Sequence, residues 1–319
     1  MWLYVAALLG LYFLFRWYRE RQTVENLSEK YVFVTGCGSG FGNQVARQLD
    51  ARGLRVLAAC LTEKGAEQLT RATSERLQTT LLDVTSSESV AIAAAWVKER
   101  VGNKGLWGLV NNAGVVHPAA PNEWLNKDDF QKVLDVNLLG LIDVTLHLLP
   151  LVKRARVRVV NVTSILGRVA FYGGGYSPSK YGVEAFSDCI RRELRPFGVK
   201  IAVVEPGYFR TSMTDSSRNL KHLEDAWIHA RPEVKESYGQ CYFESCEPPM
   251  FQKTITTRCN TNLYLETDCM EHALISRYPR TRYSGGWDAQ FFYIPLSYLP
   301  TALADFVLTW GWPRPAQAG

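Results

Sequence analysis

The chain has 319 residues, of which 47% are hydrophobic, and a formal net charge of +5. This length allows one catalytic domain with extensions and a complete hydrophobic core. The basic residues are scattered apart from Arg16, Arg19 and Arg21, and no basic stripe with interleaved aromatic residues occurs, which argues against nucleic-acid binding. The five histidines do not cluster at metal-ligand spacing, so the sequence predicts no metal site.

The N-terminal residues form a distinct apolar segment. Met1–Phe15 is nearly all apolar and is followed by RWYRERQ. Fourteen residues give about 21 Å of helix against about 30 Å of hydrocarbon, and Trp17 and Tyr18 could extend the helix as interfacial anchors. A cleaved signal peptide is the alternative, but here the basic residues follow the apolar run. We predict a membrane anchor over residues 1–22, and the positive-inside rule favours a cytosolic catalytic domain.

A glycine-rich turn follows the first buried strand. The run Tyr31–Thr35 is β-branched and aromatic, as in a buried strand, and Gly36, Gly40 and Gly42 follow it in the pattern Gly-x-x-x-Gly-x-Gly. The next segment, NQVARQLDARG, has helical periodicity. Glycines let a backbone turn sharply and approach a pyrophosphate closely, and the helix N-terminus attracts phosphate. The segment therefore predicts a dinucleotide site.

Further strands and helices alternate after this turn. Apolar runs lie at Leu54–Cys60, Thr79–Asp83 and Leu106–Val110, and helical segments lie at Lys64–Thr73 and Ser87–Val101. Such alternation predicts an α/β fold with a doubly wound parallel sheet of the Rossmann type, in one domain over residues 29–285. Ligands bind at the carboxyl ends of such strands, where Asp83 could hold the adenine amine.

The candidate catalytic residues lie in VVNVTSILGRVAFYGGGYSPSKYGVEAF. Tyr176 and Lys180 are four residues apart, so on a helix they share one face. An ammonium beside a phenol lowers the pKa of the phenol, which could then accept a proton from an alcohol, while Ser164 holds the alcohol oxygen. Pro178 fits only the first helical turn, which places Tyr176 at or just before the helix start.

Two segments near the end of the chain depart from this alternation. Residues 207–252 contain two short amphipathic patterns, Ser216–Ile228 and Val234–Tyr242, which predict an apolar lid over the crevice. Residues 286–319 form an apolar C-terminal extension, FFYIPLSYLPTALADFVLTWGW in its central part, which either closes the pocket, forms an interface or lies in the membrane. A disulfide among Cys241, Cys246, Cys259 and Cys269 is left open.

Together these motifs resemble the short-chain dehydrogenase/reductase family, in its order and spacing over roughly residues 30–215. The matching residues are Thr35-Gly36-x-x-x-Gly40-x-Gly42, Asp83, Asn111-Asn112-Ala113-Gly114, Asn137, Ser164, Tyr176-x-x-x-Lys180 and Pro206-Gly207. Stretches such as RVLAACLTEKGAEQL and PRTRYSGGWDA resemble the microsomal retinol dehydrogenase and 17β-hydroxysteroid dehydrogenase type 6 group. One departure is Gly38, where that group more often has an aspartate.

The resemblance implies a role for each matching residue. Tyr176 would be the general base, Lys180 would lower its pKa and bind the nicotinamide ribose, and Asn137 would fix a water that links Lys180 to solvent. Asn111 would hold the fourth strand in place. The predicted cofactor site comprises Gly36, Ser39, Gly40, Phe41, Gly42, Asp83, Asn111, Ala113, Gly114, Tyr176, Lys180, Pro206 and Gly207.

The second strand indicates which cofactor binds. Its end, at Cys60, is neutral, and neither the glycine loop nor the residues after the strand offer a clamp for a 2′-phosphate, which favours NAD. The expected reaction is NAD-dependent oxidation of a hydrophobic alcohol, a 3α- or 17β-hydroxysteroid or retinol. Alternatives are retinol oxidation as the main activity, an NADPH-dependent reductase, and a catalytically silent lipid-binding protein. The resemblance also suggests the endoplasmic reticulum membrane, with the face left open, and a homodimer.

Overall fold

Seven parallel strands form one sheet at the centre of the molecule, in a computed structural model that describes residues 2–170, 173–246 and 259–318. The order across the sheet is β3-β2-β1-β4-β5-β6-β7. The strands are β1 Tyr31–Val34, β2 Arg55–Cys60, β3 Leu77–Leu81, β4 Gly108–Asn111, β5 Arg158–Val162, β6 Lys200–Val204 and β7 Arg282–Tyr283. The order reverses between β1 and β4, which creates a crevice at the carboxyl ends of these strands.

Helices cover both faces of this sheet because side chains alternate along each strand. In β1, Val32 and Val34 point to one face and Phe33 to the other. The first face packs against α2 (Gly40–Ala51), α3 (Glu63–Arg71) and α11 (Tyr264–Ile275). The second packs against α4 (Ser87–Val101), α6 (Leu141–Ala155) and α7 (Tyr176–Leu194). The predicted doubly wound Rossmann-type sheet is therefore confirmed.

The remaining helices lie outside these two layers. They are α1 Trp2–Glu20, α5 Lys127–Leu134, α8 Ser216–His229, α9 Pro232–Tyr238, α10 Gln240–Cys246, α12 Ile294–Leu296 and α13 Thr301–Thr309. A π-helical segment, Asp135–Gly140, joins α5 to α6. Among the residues described in full, one stretch, 127–155, is long and apolar enough to cross a bilayer. It packs into the core through Val144 and Leu148.

The end of α1 is fixed to the body at the amino-end edge of the sheet. Glu20 pairs with Arg280, and the backbone carbonyl of Glu20 accepts a hydrogen bond from the ring of His272 at 2.8 Å. Thr23 then forms an antiparallel bridge with Ser276. The described apolar side chains of α1 itself remain exposed, as in Trp2 and Phe13.

The C-terminal extension divides into a packed part and an exposed part. Ala289, Tyr293 and Leu296 are buried against the body. In contrast, α13 has no buried residue and exposes Phe306, and Trp310 directly after it is also exposed. Its Leu308 is partly buried and packs against the cluster of Ile165, Ala289 and Tyr293. The three roles considered for the extension stay predictions.

Six cysteines are described with their side chains, and all six are free. They are Cys37, Cys60, Cys189, Cys241, Cys259 and Cys269. The side chain of Cys246 lies outside the described residues. No disulfide joins the other three cysteines of the predicted group, Cys241, Cys259 and Cys269.

Candidate active site

The glycine loop between β1 and α2 forms a tight cradle. Gly36 and Gly40 have φ values of +71° and +60°, a backbone conformation that favours glycine. A Cβ on Gly42 would lie 2.3 Å from the carbonyl oxygen of Gly36. The first N–H groups of a helix have no intrahelical acceptor, and the side chain of Ser39, the N-cap of α2, does not cap them. These residues fit a dinucleotide phosphate.

Two other residues of the predicted cofactor site pack against the loop that follows β6. The Ser39 hydroxyl lies 3.0 Å from the hydroxyl of Ser212. The ring of Phe41 meets that of Phe209 edge to face, with centroids 5.3 Å apart. The glycine loop and the loop after β6 are therefore joined by side-chain contacts across the crevice.

Asn112 holds the glycine loop, a role that its place in the Asn111-Asn112-Ala113-Gly114 motif did not reveal. Its Nδ2 donates to the carbonyl oxygens of Thr35 at 3.0 Å and Gly36 at 3.2 Å. In return, the Thr35 hydroxyl accepts the backbone N–H groups of Asn112 and Ala113. The pairing of β1 with β4 was the available signal, since it brings Thr35 beside the residues that follow Val110.

Asn111 points away from the crevice. Its Nδ2 donates to the Thr145 hydroxyl at 2.8 Å and to Asn161 Oδ1 at 2.9 Å. It is 3% exposed, so its side chain ties β4 to β5 and α6. The side chain thus has a structural role, and the cofactor contact predicted for Asn111 stays a prediction.

Cys60 ends β2, and Asp83 follows the neighbouring strand β3. Asp83 is exposed, two residues beyond β3, and its Oδ1 accepts the backbone N–H of Thr85 at 2.9 Å. Cys60 is fully buried in the core, where burial raises the pKa of its thiol to about 11. The end of β2 is therefore neutral, and its side chain is turned into the core.

The catalytic candidates meet where α7 begins beside the end of β5. Tyr176 is the first residue of α7, as predicted, and Pro178 lies in the first turn. Lys180 Nζ donates to the carbonyl oxygen of Val162 at 2.9 Å and lies 5.5 Å from the centroid of the Tyr176 ring. Ser164, the second residue after β5, lies beside the phenol and is 6% exposed.

The electrostatics of this group differ from the expectation. Desolvation raises the pKa of Tyr176 to about 12, against a smaller lowering by the Ser164 hydroxyl. Desolvation also lowers the pKa of Lys180 to about 8. Burial thus raises the pKa of this phenol, whereas the sequence led us to expect a neighbouring ammonium to lower it.

Asn137 lies in the π-helical segment and contacts both the segment after β4 and the first turn of α7. Its Oδ1 accepts the N–H of Val115 at 2.8 Å, and its Nδ2 donates to the Val115 carbonyl and to the Ser179 hydroxyl. A Cβ on Gly114 would lie 3.2 Å from Asn137 Oδ1 and 3.8 Å from Lys180 Nζ. Asn137, Gly114 and Lys180 are therefore neighbours.

Pro206 and Gly207 border the same crevice after β6. The Pro206 carbonyl accepts the N–H of Ile165 at 3.0 Å, which joins this loop to the segment that carries Ser164. Gly207 lies directly against the carboxylate of Asp288, where no side chain would fit.

The predicted lid forms a small aromatic core of its own. Leu223, Trp227 and Phe243 are buried with Trp124, and the rings of Trp227 and Phe243 stack at 5.2 Å. The ring of His222 on α8 stacks on that of His117, which follows β4, at 4.5 Å. Burial lowers the pKa of His117 to about 4, so this contact joins two neutral rings. Phe171 and Tyr172, which lie between Ser164 and Tyr176 in the sequence, are outside the described residues.

A parallel sheet that brings a glycine cradle and a Tyr–Lys–Ser group to one edge defines a nicotinamide-dependent oxidoreductase. A sequence profile described as short chain dehydrogenase matches residues 30–221, and the chain belongs to this family. The chain is 64% identical to human 17-beta-hydroxysteroid dehydrogenase type 6 and 62% identical to human retinol dehydrogenase 16, each over 318 residues and 100% of both chains.

The fold also matches solved structures. A short-chain dehydrogenase from Streptomyces avermitilis superposes with a TM-score of 0.67 at 25% identity, over 88% of this chain and 96% of that one. The resemblance predicted from the motifs is confirmed by the family profile and by the two human relatives.

Proposed function

We propose that this protein oxidises a hydrophobic alcohol, a 3α- or 17β-hydroxysteroid or retinol, with NAD as hydride acceptor and Tyr176 as general base. The observation that carries the proposal is the meeting of Tyr176, Lys180 and Ser164 at the strand edge that also holds the glycine cradle. The relatives named above act, by their names, on a hydroxysteroid and on retinol, which supports both classes of alcohol.

The chain's own residues account for the proton transfer. The Ser164 hydroxyl holds the alcohol oxygen, and the Tyr176 oxygen accepts its proton. Because desolvation raises the pKa of this phenol, the phenolate depends on positive charge nearby, which the Lys180 ammonium supplies. When bound, the oxidised nicotinamide ring accepts the hydride. Asn137 would fix a water that links Lys180 to solvent. Gly36, Gly40, Gly42, Ser39, Phe41, Ala113, Pro206 and Gly207 would hold the cofactor.

The choice of NAD depends on the surroundings of Gly38. The first turn of α3 carries the acidic Glu63, and Thr62 caps this helix by accepting the N–H of Gly65. A carboxylate at this point disfavours a 2′-phosphate. We expect Asp83 to contact the adenine.

A second function, reduction with NADPH, is favoured by one observation. A Cβ on Gly38 would meet nothing within 4 Å, so the loop leaves room for an additional phosphate. Specificity constants with NAD and NADP distinguish the two functions. NAD is expected to be preferred, and a strong preference for NADP would overturn this assignment.

The reaction itself is tested with Tyr176→Phe, which keeps the ring and removes the acid–base group. Turnover should fall by about 100-fold or more, because general-base catalysis contributes at least that factor, while NAD binding stays close to wild type. Surviving turnover would contradict the role of Tyr176. Offering retinol, androstanediol and androsterone to the microsomal enzyme would identify the preferred substrate.

The proposal extends to the setting of the enzyme. The exposed apolar side chains of α1 support an N-terminal anchor in the endoplasmic reticulum membrane, over residues 1–22, followed by the catalytic domain over 29–285 and the extension over 286–319. Residues 207–252 serve as the lid. Protease protection of intact microsomes tests which face the domain occupies. The homodimer stays a prediction, tested by sedimentation in detergent.

A further inference from the structure

Three consecutive residues at the end of β5 contact three residues spaced one turn apart on α7. Ser164 lies beside Tyr176, and the carbonyl of Val162 accepts from Lys180. Between them, the Thr163 hydroxyl donates to Glu184 Oε1 at 2.7 Å. Tyr176, Lys180 and Glu184 share one face of the helix, since they are four residues apart. The bond between Thr163 and Glu184 is thus the third contact between this strand end and the helix that carries Tyr176 and Lys180.

Glu184 is buried and ionically paired, with 7% of its surface exposed. Arg282 of β7 donates to its second carboxylate oxygen and also to Glu205 Oε1 at 2.9 Å. Arg168, after β5, donates to the same oxygen of Glu205 at 3.2 Å. A buried carboxylate is costly unless it is paired, so these contacts offset the cost of burying Glu184 and hold it in place.

The charge of Glu184 acts on Lys180 against desolvation. Burial lowers the pKa of Lys180, and Glu184 is the charged group that raises it. The other charged groups around the pair are Arg282, Arg168, Glu205 and Asp188, of which Asp188 lies 3.7 Å from Arg282. Arg282 pairs with Glu184 as well as with Glu205 and Asp188, and Asp188 also pairs with Arg191 and Arg192. Of these carboxylates, Glu184 is the one that lies one turn from the lysine on the same helix face.

We propose that Glu184 is a positioning residue of the reaction, which fixes the catalytic helix to the strand end beside Ser164 and provides the negative charge that keeps Lys180 an ammonium. The inference rests on the proposed function, because it assumes that Tyr176 and Lys180 act on the alcohol.

The decisive experiment is the pH profile of alcohol oxidation by Glu184→Gln. As pH rises through the pKa of Lys180, the ammonium is lost and oxidation falls. Without the charge of Glu184, this pKa is lower, so the alkaline limb should move to lower pH by about one unit and kcat should fall by about tenfold. The KM for NAD should change little.

Glu205→Gln is the matched control. It removes a buried carboxylate from the same arginine network and should lower the unfolding temperature as much, without moving the alkaline limb. If Glu184→Gln has the same pH profile as wild type and differs only by a lower unfolding temperature, Glu184 is a structural residue and the inference is overturned.

A second pair covers the case in which Glu184→Gln does not fold. Thr163→Val removes the hydroxyl that holds Glu184, and Thr163→Ser keeps it. The valine variant should lose kcat by several-fold and the serine variant should retain it, whereas equal kcat values would contradict the proposal. Loss of the proposed function appears differently, as turnover that survives Tyr176→Phe.

Discussion

The carboxylate of Asp288 accepts a hydrogen bond from the backbone N–H of Tyr208 at 2.8 Å. Through this contact the start of the C-terminal extension closes on the loop that follows β6. Gly207 and Gly286 both make room for it, since a Cβ on either would lie within 2.5 Å of a carboxylate oxygen of Asp288. The loop predicted to border the cofactor is therefore held by a residue about 80 positions later in the chain.

Gly207→Ala should displace this carboxylate. The new methyl group overlaps Asp288, and overpacking of this kind costs about 1–3 kcal/mol of unfolding free energy. We also expect a higher KM for the cofactor. Thermal unfolding and steady-state kinetics measure both effects, and the double variant Gly207→Ala/Asp288→Ala should recover part of the loss. A single variant as stable as wild type would refute the contact.

The glycine cradle offers a matched pair of substitutions. Gly42→Ala forces a methyl group against the carbonyl oxygen of Gly36, so NAD binding should weaken by about 1–3 kcal/mol. Gly38→Ala meets nothing within 4 Å and should bind NAD as wild type does. Calorimetric titration measures both affinities. Equal affinities would show that the close approach at Gly42 plays no part in binding.

Glu266 predicts a pH dependence of stability. It is fully buried, and burial raises the pKa of its carboxyl to about 7, although it accepts the N–H of Gly285. The folded protein therefore holds a proton that the unfolded chain releases near pH 4.5, and stability falls as pH rises from about 4.5 to 7.

Glu266→Gln should remove this dependence. The variant should gain up to about 3 kcal/mol over wild type at pH 8 and much less at pH 4.5. Denaturant unfolding at the two pH values measures the difference, with Glu63→Gln on the exposed first turn of α3 as control. A constant difference between the proteins across this range would contradict the assignment.

The exposed aromatic side chains of α13 predict contact with lipid. Trp310, directly after α13, is 73% exposed, and the centroid of its ring lies 4.9 Å from that of Phe306 on the helix. In vesicles that contain brominated lipid, the fluorescence of the reconstituted enzyme should be quenched less in Trp310→Phe than in wild type. Trp96→Phe, on α4 of the domain body, should leave the quenched fraction unchanged. The same quenching in all three proteins would place α13 in water.

The sequence predicted the order of the fold well, because hydrophobic periodicity and glycine placement are local. Ser87–Val101 was predicted to the residue, since Ser86 caps this helix by accepting the N–H of Ser89. The third strand was placed at Thr79–Asp83 but lies at Leu77–Leu81, because its bounds follow its pairing with β2. The two-residue strand β7 has no periodicity to detect and exists through its pairing with β6.

In the candidate site, too, the local motifs could be predicted from the sequence and the contacts between distant segments could not. The motif residues Tyr176, Lys180 and Ser164 could be found from spacing alone. The bonds of Asn112 and Glu184, in contrast, join distant segments, and the pKa of Tyr176 depends on how much water the folded site excludes. Sequence patterns state which groups are present, whereas burial decides which of them hold a charge.

The junction between α1 and the body has a mechanical consequence. Glu20, the last residue of α1, pairs with Arg280, and Thr23 bridges to Ser276, so no flexible linker separates the helix from the sheet. If α1 lies in a bilayer, its orientation would also set the tilt of the strands relative to the membrane. The crevice opens at the opposite edge, one strand length or about 15–20 Å away. The fold would thus hold the entrance of the crevice at a fixed height above the lipid headgroups. A hydrophobic alcohol that leaves the bilayer would always meet the entrance at that height.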